Sequence, residues 1–193
     1  MGRIIEPNIS LGDGVIAVRP PNEKDAPEIY QAVIESLAEL KPWMSWVHDH
    51  YSIEETLEWL KSTKANWADG SHYGFIITGV RDGFTLGGCG LSIISEAYRI
   101  ANLGYWVRTS RRGEGIAPRA TLLLAKFAFE ALSMVRVEVA VAEGNHASLR
   151  AAEKAGALRE GLLRNRIKIR ETVHNAWMHS LIPKDFGLEG EIE

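Results

Sequence analysis

The sequence predicts a single α/β domain of mixed α+β character, with one mixed central sheet of about six to seven strands flanked by helices. Three observations predict it. Segments of period-two alternation and segments with apolar residues three or four apart follow one another along the chain and do not sort into separate halves. A length of 193 residues is that of one domain, or of one domain with a small appendage. One strand also runs through a glycine loop directly into a long amphipathic helix.

In chain order, residues 1–13 are expected as an N-terminal arm, 14–182 as the domain, and 183–193 as a tail, loose from Asp185 onward. Residues 14–19 read as a strand closed by Pro20 and Pro21. A helix is expected over 22–40, with Asn22 as its N-cap and apolar residues from Ala26 to Leu40 at helical spacing. Trp43 and Trp46 follow in a loop. Ser52 to Glu55 has the form of a capping box and opens a helix to about residue 68. Strands at 72–80 and 85–94 flank an Arg81-Asp82-Gly83 turn. Gly87, Gly88 and Gly90 weaken the second strand as a packed element and predict a bulge or a close neighbour. In residues 103–107, Leu103, Tyr105 and Val107 alternate with Gly104 and Trp106, and a helix follows from Ile116. Residues 135–142 alternate without fault, and Ala140 and Ala142 leave room beside the end of that strand. A short helix from His146 ends at Gly156, and two strands, 157–167 and 173–182, close the domain.

Composition bounds the function. A net charge of −3 argues against a dedicated nucleic-acid binder. No apolar run approaches a membrane span, Met1-Gly2 lacks a hydroxyl residue at position 6 for myristoylation, and no signal-peptide layout is present. The single Cys89 cannot form an internal disulfide, which suits a reducing, cytoplasmic compartment. His48 and His50 have no third ligand at suitable spacing, so no metal is expected.

The segment Arg111-Arg112-Gly113-Glu114-Gly115-Ile116-Ala117 lies between strand and helix, where glycines let the backbone approach a ligand and unpaired first-turn N–H groups attract an anion. A nucleotide P-loop is excluded, because no Lys-Ser or Lys-Thr follows. A dinucleotide fingerprint is excluded because position 118 is proline. RRGEGIA resembles the pyrophosphate loop, [QR]xxGx[GA], of the GNAT family N-acetyltransferases, except that Ser110 occupies the first motif position. LKPWMSWV, GYWV and NHASLRAAEKAGALREGLLR are similar to the ribosomal-protein N-terminal acetyltransferase branch (RimJ/RimL-like). The resemblance spans residues 15–182.

It implies a sheet splayed between two parallel strands, with acetyl-CoA as co-substrate between them. Backbone groups of Trp106 and Val107 would hold the pantetheine arm, the loop from Arg111 and Arg112 through Gly113, Glu114, Gly115, Ile116 and Ala117 the pyrophosphate, and Asn145 the far end of the arm. Ser148 would sit near the sulfur as catalytic donor; its other reading is a helix cap. For the base, Glu160 is the named candidate, with Glu171 and His174 nearby. Trp43 and Trp46 would line the acceptor side, or else plug the core beneath their loop. The acceptor implied is a protein N-terminal α-amine. The alternatives are a small-molecule amine (polyamine, antibiotic or amino acid) and a non-catalytic acyl-CoA sensor. The oligomeric state is open, a homodimer being one option.

Overall fold

Val137, Val139 and Val141 form the unbroken apolar face foreseen for strand β6 (Arg136–Ala142), and each is at most 2% exposed. The computed structural model describes residues 9–188. Around β6 it arranges β1 (Leu11–Gly12), β2 (Ile16–Arg19), β3 (His72–Gly79), β4 (Thr85–Ser95), β5 (Ile100–Val107), β7 (Leu158–Ile169) and β8 (Thr172–Leu181). The order is β1-β2-β3-β4-β5-β6-β8-β7, one mixed sheet of eight strands. The strand beyond the expected number is β1, a two-residue pairing of Leu11 and Gly12 with Val18 and Ala17. So short a segment leaves no alternation to read.

Five α-helices cover the two faces: α1 (Ala26–Glu35), α2 (Leu37–Leu40), α3 (Ile53–Asp69), α4 (Ile116–Glu130) and α5 (His146–Lys154). On one face, Leu124, Phe127 and Ala128 of α4 pack with Phe75, Leu91, Leu103 and Val139. On the other, Ile29 and Val33 of α1 and Leu60 of α3 pack with Ile76. The capping box of α3 forms as expected, Glu55 accepting from the Ser52 N–H at 2.8 Å, and Gly70 ends the helix in the left-handed region.

The helix expected over 22–40 divides into three. Asn22 caps a 3-10 turn, Glu23–Asp25, before α1, and the helix breaks again at Ser36. The Ser36 hydroxyl donates to Ala32 O at 2.7 Å and accepts from the Thr109 N–H at 3.0 Å. The break is thus held from outside the helix, by the loop that follows β5. The expectation of a loose tail from Asp185 is corrected as far as residue 188. Pro183–Phe186 forms a 3-10 turn, and the Phe186 ring meets Phe129 at 5.3 Å between centroids. An aromatic side chain there gains more by burial than the short segment loses by being ordered. The remainder of the tail, and most of the expected arm, lie outside the described residues.

Among the described residues seven strand pairings make the sheet, and the one parallel pairing sets up the site. β5 and β6 pair only through Ile100↔Arg136, Ala101↔Val137 and Asn102↔Glu138. Past Asn102, β5 continues to Val107 bonded to β4 alone, while β6 continues to Ala142 bonded to β8 alone. The two strands therefore splay, and the facing backbone groups of residues 103–107 have no ladder partner.

Candidate active site

The splay opens into a cleft of about 640 Å³ lined by Tyr105, Trp106 and Val107 from β5, Gly113, Gly115, Ile116 and Ala117 from the loop and α4, and Asn145 and Ser148 from α5. Arg111 and Arg112 complete the loop side of the lining. The residues singled out around the glycine loop are thereby brought together; Glu114 flanks the cleft, turned to Arg111. Gly113 and Gly115 have φ of +83° and +74°, and a Cβ on either would meet no protein atom within 4 Å. Glycine is required there by backbone conformation, and the space beyond each is open.

The loop is held from below. Glu35 accepts from the Ser110 N–H at 2.8 Å and pairs with Arg108, and these hydrogen bonds, Ser110 first, lower its pKa to about 2. Arg111 is bound by Glu114 and faces Asp82 at 3.5 Å. Arg112 is half exposed and faces Glu39 at 3.8 Å. Arg150 and Lys154, one helical turn apart on α5, line the same cleft. Sequence reading missed both, because helical spacing shows which residues share a face but not what that face meets.

Asn145 caps α5: its Oδ1 accepts from the Ser148 N–H at 3.1 Å. The Ser148 side chain is therefore not the cap. Its hydroxyl lies 3.0 Å from the Tyr105 hydroxyl, which also donates to Ser148 O at 3.0 Å. Burial raises the Tyr105 pKa, so the phenol stays protonated. Tyr105 had been read only as an apolar strand position; the partner that makes its hydroxyl informative is 43 residues away.

Glu160 is corrected as a base candidate. It lies in neither cavity described here and accepts from Arg136 at 2.8 Å and Ser180 at 2.7 Å. Arg136 above all lowers its pKa to about 2. Such a carboxylate is ionised, occupied by Arg136 and Ser180, and too weakly basic to take an amine's proton. Glu171 is on the hairpin turn beside Lys168, and His174 on β8; neither lines a cavity.

Trp43 and Trp46 separate. Trp43 borders the cleft just described, whereas Trp46 borders a second cavity of about 650 Å³ on the opposite face of the sheet. There Trp46 meets Trp106 at 6.2 Å and Tyr51 at 5.8 Å between centroids, with Trp59, Glu55, Glu58 and His72 also in the wall. The two cavities share Met44, Tyr105 and Trp106, so they meet where β5 leaves β6. The glycines of β4 fit this arrangement. A Cβ at Gly87 would lie 2.1 Å from Trp106 O, and one at Gly88 2.7 Å from the Trp106 indole nitrogen. Among the described residues no group of three or more His, Cys, Asp or Glu side chains is placed to hold a metal ion, and no helix is long and apolar enough to cross a membrane.

The family model of the acetyltransferase (GNAT) domain matches residues 16–158. Over 179 residues the chain is 28% identical to "Putative ribosomal N-acetyltransferase YdaF" of Bacillus subtilis, spanning 91% of this chain and 94% of that one. It superposes with a TM-score of 0.82 on "a putative ribosomal-protein-serine acetyltransferase" from Vibrio cholerae, at 26% identity over 93% of this chain and 100% of that chain. With RimJ of Mycobacterium smegmatis, solved in complex with CoA-disulfide, it shares the fold: TM-score 0.80 at 23% identity, covering 92% of this chain and 88% of the other.

Proposed function

Because the chain belongs to the GNAT family of acetyltransferases, and so transfers an acetyl group, we propose that its donor is acetyl-CoA held in the β5–β6 splay and its acceptor a protein N-terminal α-amine. One observation carries this reading. The cleft and the second cavity meet at Tyr105 and Trp106, so a thioester lying along the unpaired edge of β5 would present its carbonyl to an amine arriving from the other face.

The parts divide the work. The Gly113–Ala117 turn offers first-turn N–H groups and the positive end of α4 to a pyrophosphate. Arg112, Arg150 and Lys154 supply cations along the same cleft for the remaining phosphate charge. Unpaired backbone groups of residues 103–107 hydrogen-bond the amides of the pantetheine arm, as a strand would. The amine attacks the thioester carbonyl, and collapse of the tetrahedral intermediate releases a thiolate toward Ser148 and Tyr105. The second cavity, walled by Trp46, Tyr51, Trp59 and Trp106, takes the first residue of the acceptor chain. The proposed acceptor puts the enzyme's work in the cytoplasm, where acetyl-CoA and nascent N-termini are available.

The test is a panel of N-terminal peptides, polyamines and amino acids offered with acetyl-CoA, with free thiol as readout. Peptides with a free α-amine should turn over best. Thiol release only with polyamines or amino acids would replace the acceptor. Binding of acetyl-CoA with no release for any amine would make the domain a sensor.

A further inference from the structure

Strand register places three rows on the face of the sheet that turns toward α3. His72, Ser92 and Asn102 form one row, Gly74, Gly90 and Gly104 the next, and Ile76, Gly88 and Trp106 the third. The middle row has no side chains, so it is a trough between a polar wall and the Trp106 indole. Its floor is open at one place only. A Cβ at Gly74 would lie 3.0 Å from Thr63 of α3, and one at Gly90 would lie 2.9 Å from the His72 imidazole, whereas one at Gly104 would meet nothing within 4 Å. The His72 ring thus covers Gly90, one strand away from the free space above Gly104, and neighbouring strands are about 4.8 Å apart. Gly104 also lies just past Asn102, where the gap between β5 and β6 begins.

We propose that His72 Nε2 takes the proton of the acceptor amine as the amine stands over Gly104. The proposal rests on the acetyl-transfer reading above. His72 Nδ1 and Ser92 Oγ share a hydrogen bond of 2.9 Å, which fixes the ring, and Nε2 has no hydrogen-bond partner among the described residues. Burial keeps the imidazole below its usual pKa, so it is neutral and able to accept at pH 7. The ammonium gives one proton to Nε2, and the freed lone pair forms the C–N bond at the thioester carbonyl. The C–S bond then breaks, the second N–H proton leaves with the sulfur as thiol by way of the Ser148 and Tyr105 hydroxyls, and His72 returns its proton to water.

The other titratable groups facing the trough are otherwise committed, with one exception. Glu55 accepts from Ser52 and pairs with His48, and Tyr51 bonds to Thr56. Cys89 and Tyr105 pair with each other across β4 and β5 and alternate to the opposite face of the sheet. Glu58 of α3 is the exception and the rival base. An imidazole also suits one class of amine. An α-ammonium, at about 7.7–8.0, yields its proton to such a base far more readily than a lysine ε-ammonium at about 10.4, a difference of roughly 300-fold in neutral fraction.

His72→Gln and Glu58→Gln, assayed by thiol release with an N-terminal peptide between pH 6.5 and 9.5, test the assignment. At pH 7 His72→Gln should lose about 10²-fold in kcat with an unchanged Kd for acetyl-CoA. The deficit should shrink to less than about tenfold above the amine's own pKa, where the substrate arrives neutral. Added imidazole should restore part of the loss at pH 7. A deficit that stays constant with pH, a loss of acetyl-CoA binding in step with activity, or a pH-dependent loss in Glu58→Gln and not in His72→Gln would each overturn it. Wild-type enzyme that turns over no peptide would instead overturn the proposed acceptor, a result read before any variant is made.

Discussion

The Tyr105 hydroxyl lies 3.0 Å from the Ser148 hydroxyl oxygen, tying the end of β5 to the first turn of α5 across the strand splay. Because Asn145 caps the helix, the Ser148 side chain contributes little to helix stability and is available to a departing sulfur. A thiol of pKa about 8.5 already leaves more readily than an amine, so its donor helps without being indispensable. Ser148→Ala should therefore lower turnover by roughly ten- to a hundredfold, with acetyl-CoA affinity nearly unchanged. Tyr105→Phe should lower it similarly, and the double variant by less than the product of the two, since they act as one unit. Asn145→Ala should instead cost about 1 kcal/mol of stability as a lost cap. Thermal melts beside steady-state rates check all four variants; a larger melting loss in Ser148→Ala than in Asn145→Ala would reverse the assignment.

Gly113 and Gly115 offer a cleaner separation of binding from folding. Their added side chains would point into open space, so the cost to the fold is left-handed backbone strain, about 1–2 kcal/mol. A branched side chain there also stands where a phosphate must reach the N–H groups of the turn. Gly113→Val or Gly115→Val should raise the Kd for acetyl-CoA at least about tenfold by calorimetry, a loss of about 1.4 kcal/mol, while the chain stays folded. Unchanged affinity in both would remove the loop from the cofactor site.

Trp43 and Trp46, three residues apart, should affect different substrates. Trp46 stands in the cavity beyond the splay and Trp43 beside the loop-lined cleft. Trp46→Ala should raise KM for the amine and Trp43→Ala that for acetyl-CoA, each by roughly tenfold if the lost contact is worth about 1.4 kcal/mol. Val47, fully buried and accepting at its carbonyl from Arg170, anchors the loop in both variants. Equal rises in both constants would mark either residue as packing alone.

How far the sequence reaches depends on the span of each cause. The alternation of β6, the capping box of α3 and the glycine turn before α4 are written in neighbouring residues, and each appears where it was expected. Ser36 is different: its hydroxyl breaks a continuous helical pattern because Thr109, 73 residues on, donates to it. His72 and Ser92 come together only through strand register, and a single-residue slip would turn each to the other face. Glu160 failed for the same reason. Its strand was legible, but Arg136 and Ser180, which hold its charge, come from two other strands. Tertiary pairing therefore decides the chemistry that local pattern leaves open.

His179 leads to the last prediction, on acid stability. The residue is fully buried, and among the described residues neither ring nitrogen has a partner at full hydrogen-bond geometry, the backbone at Trp177 and Val139 lying nearby. Burial is the main cause that lowers its pKa below 6.5; the backbone at Trp177 and Val139 opposes it most, Glu153 opposes it less, and Arg159 acts in the same direction as burial. A group whose folded pKa is depressed binds more protons in the unfolded chain, so stability rises with pH across the interval between the two values. Its contribution is fully present above about pH 6.5 and is lost as pH falls through the folded value. His72, also lowered by burial, acts with the same sign. Urea unfolding should therefore show wild-type stability falling between pH 7 and 5. His179→Leu removes one of the two groups without leaving a buried polar atom. Its stability should fall less over that interval, whatever its absolute value at pH 7. Parallel curves for the two proteins would show that His179 is protonated as readily in the folded chain as in the unfolded one.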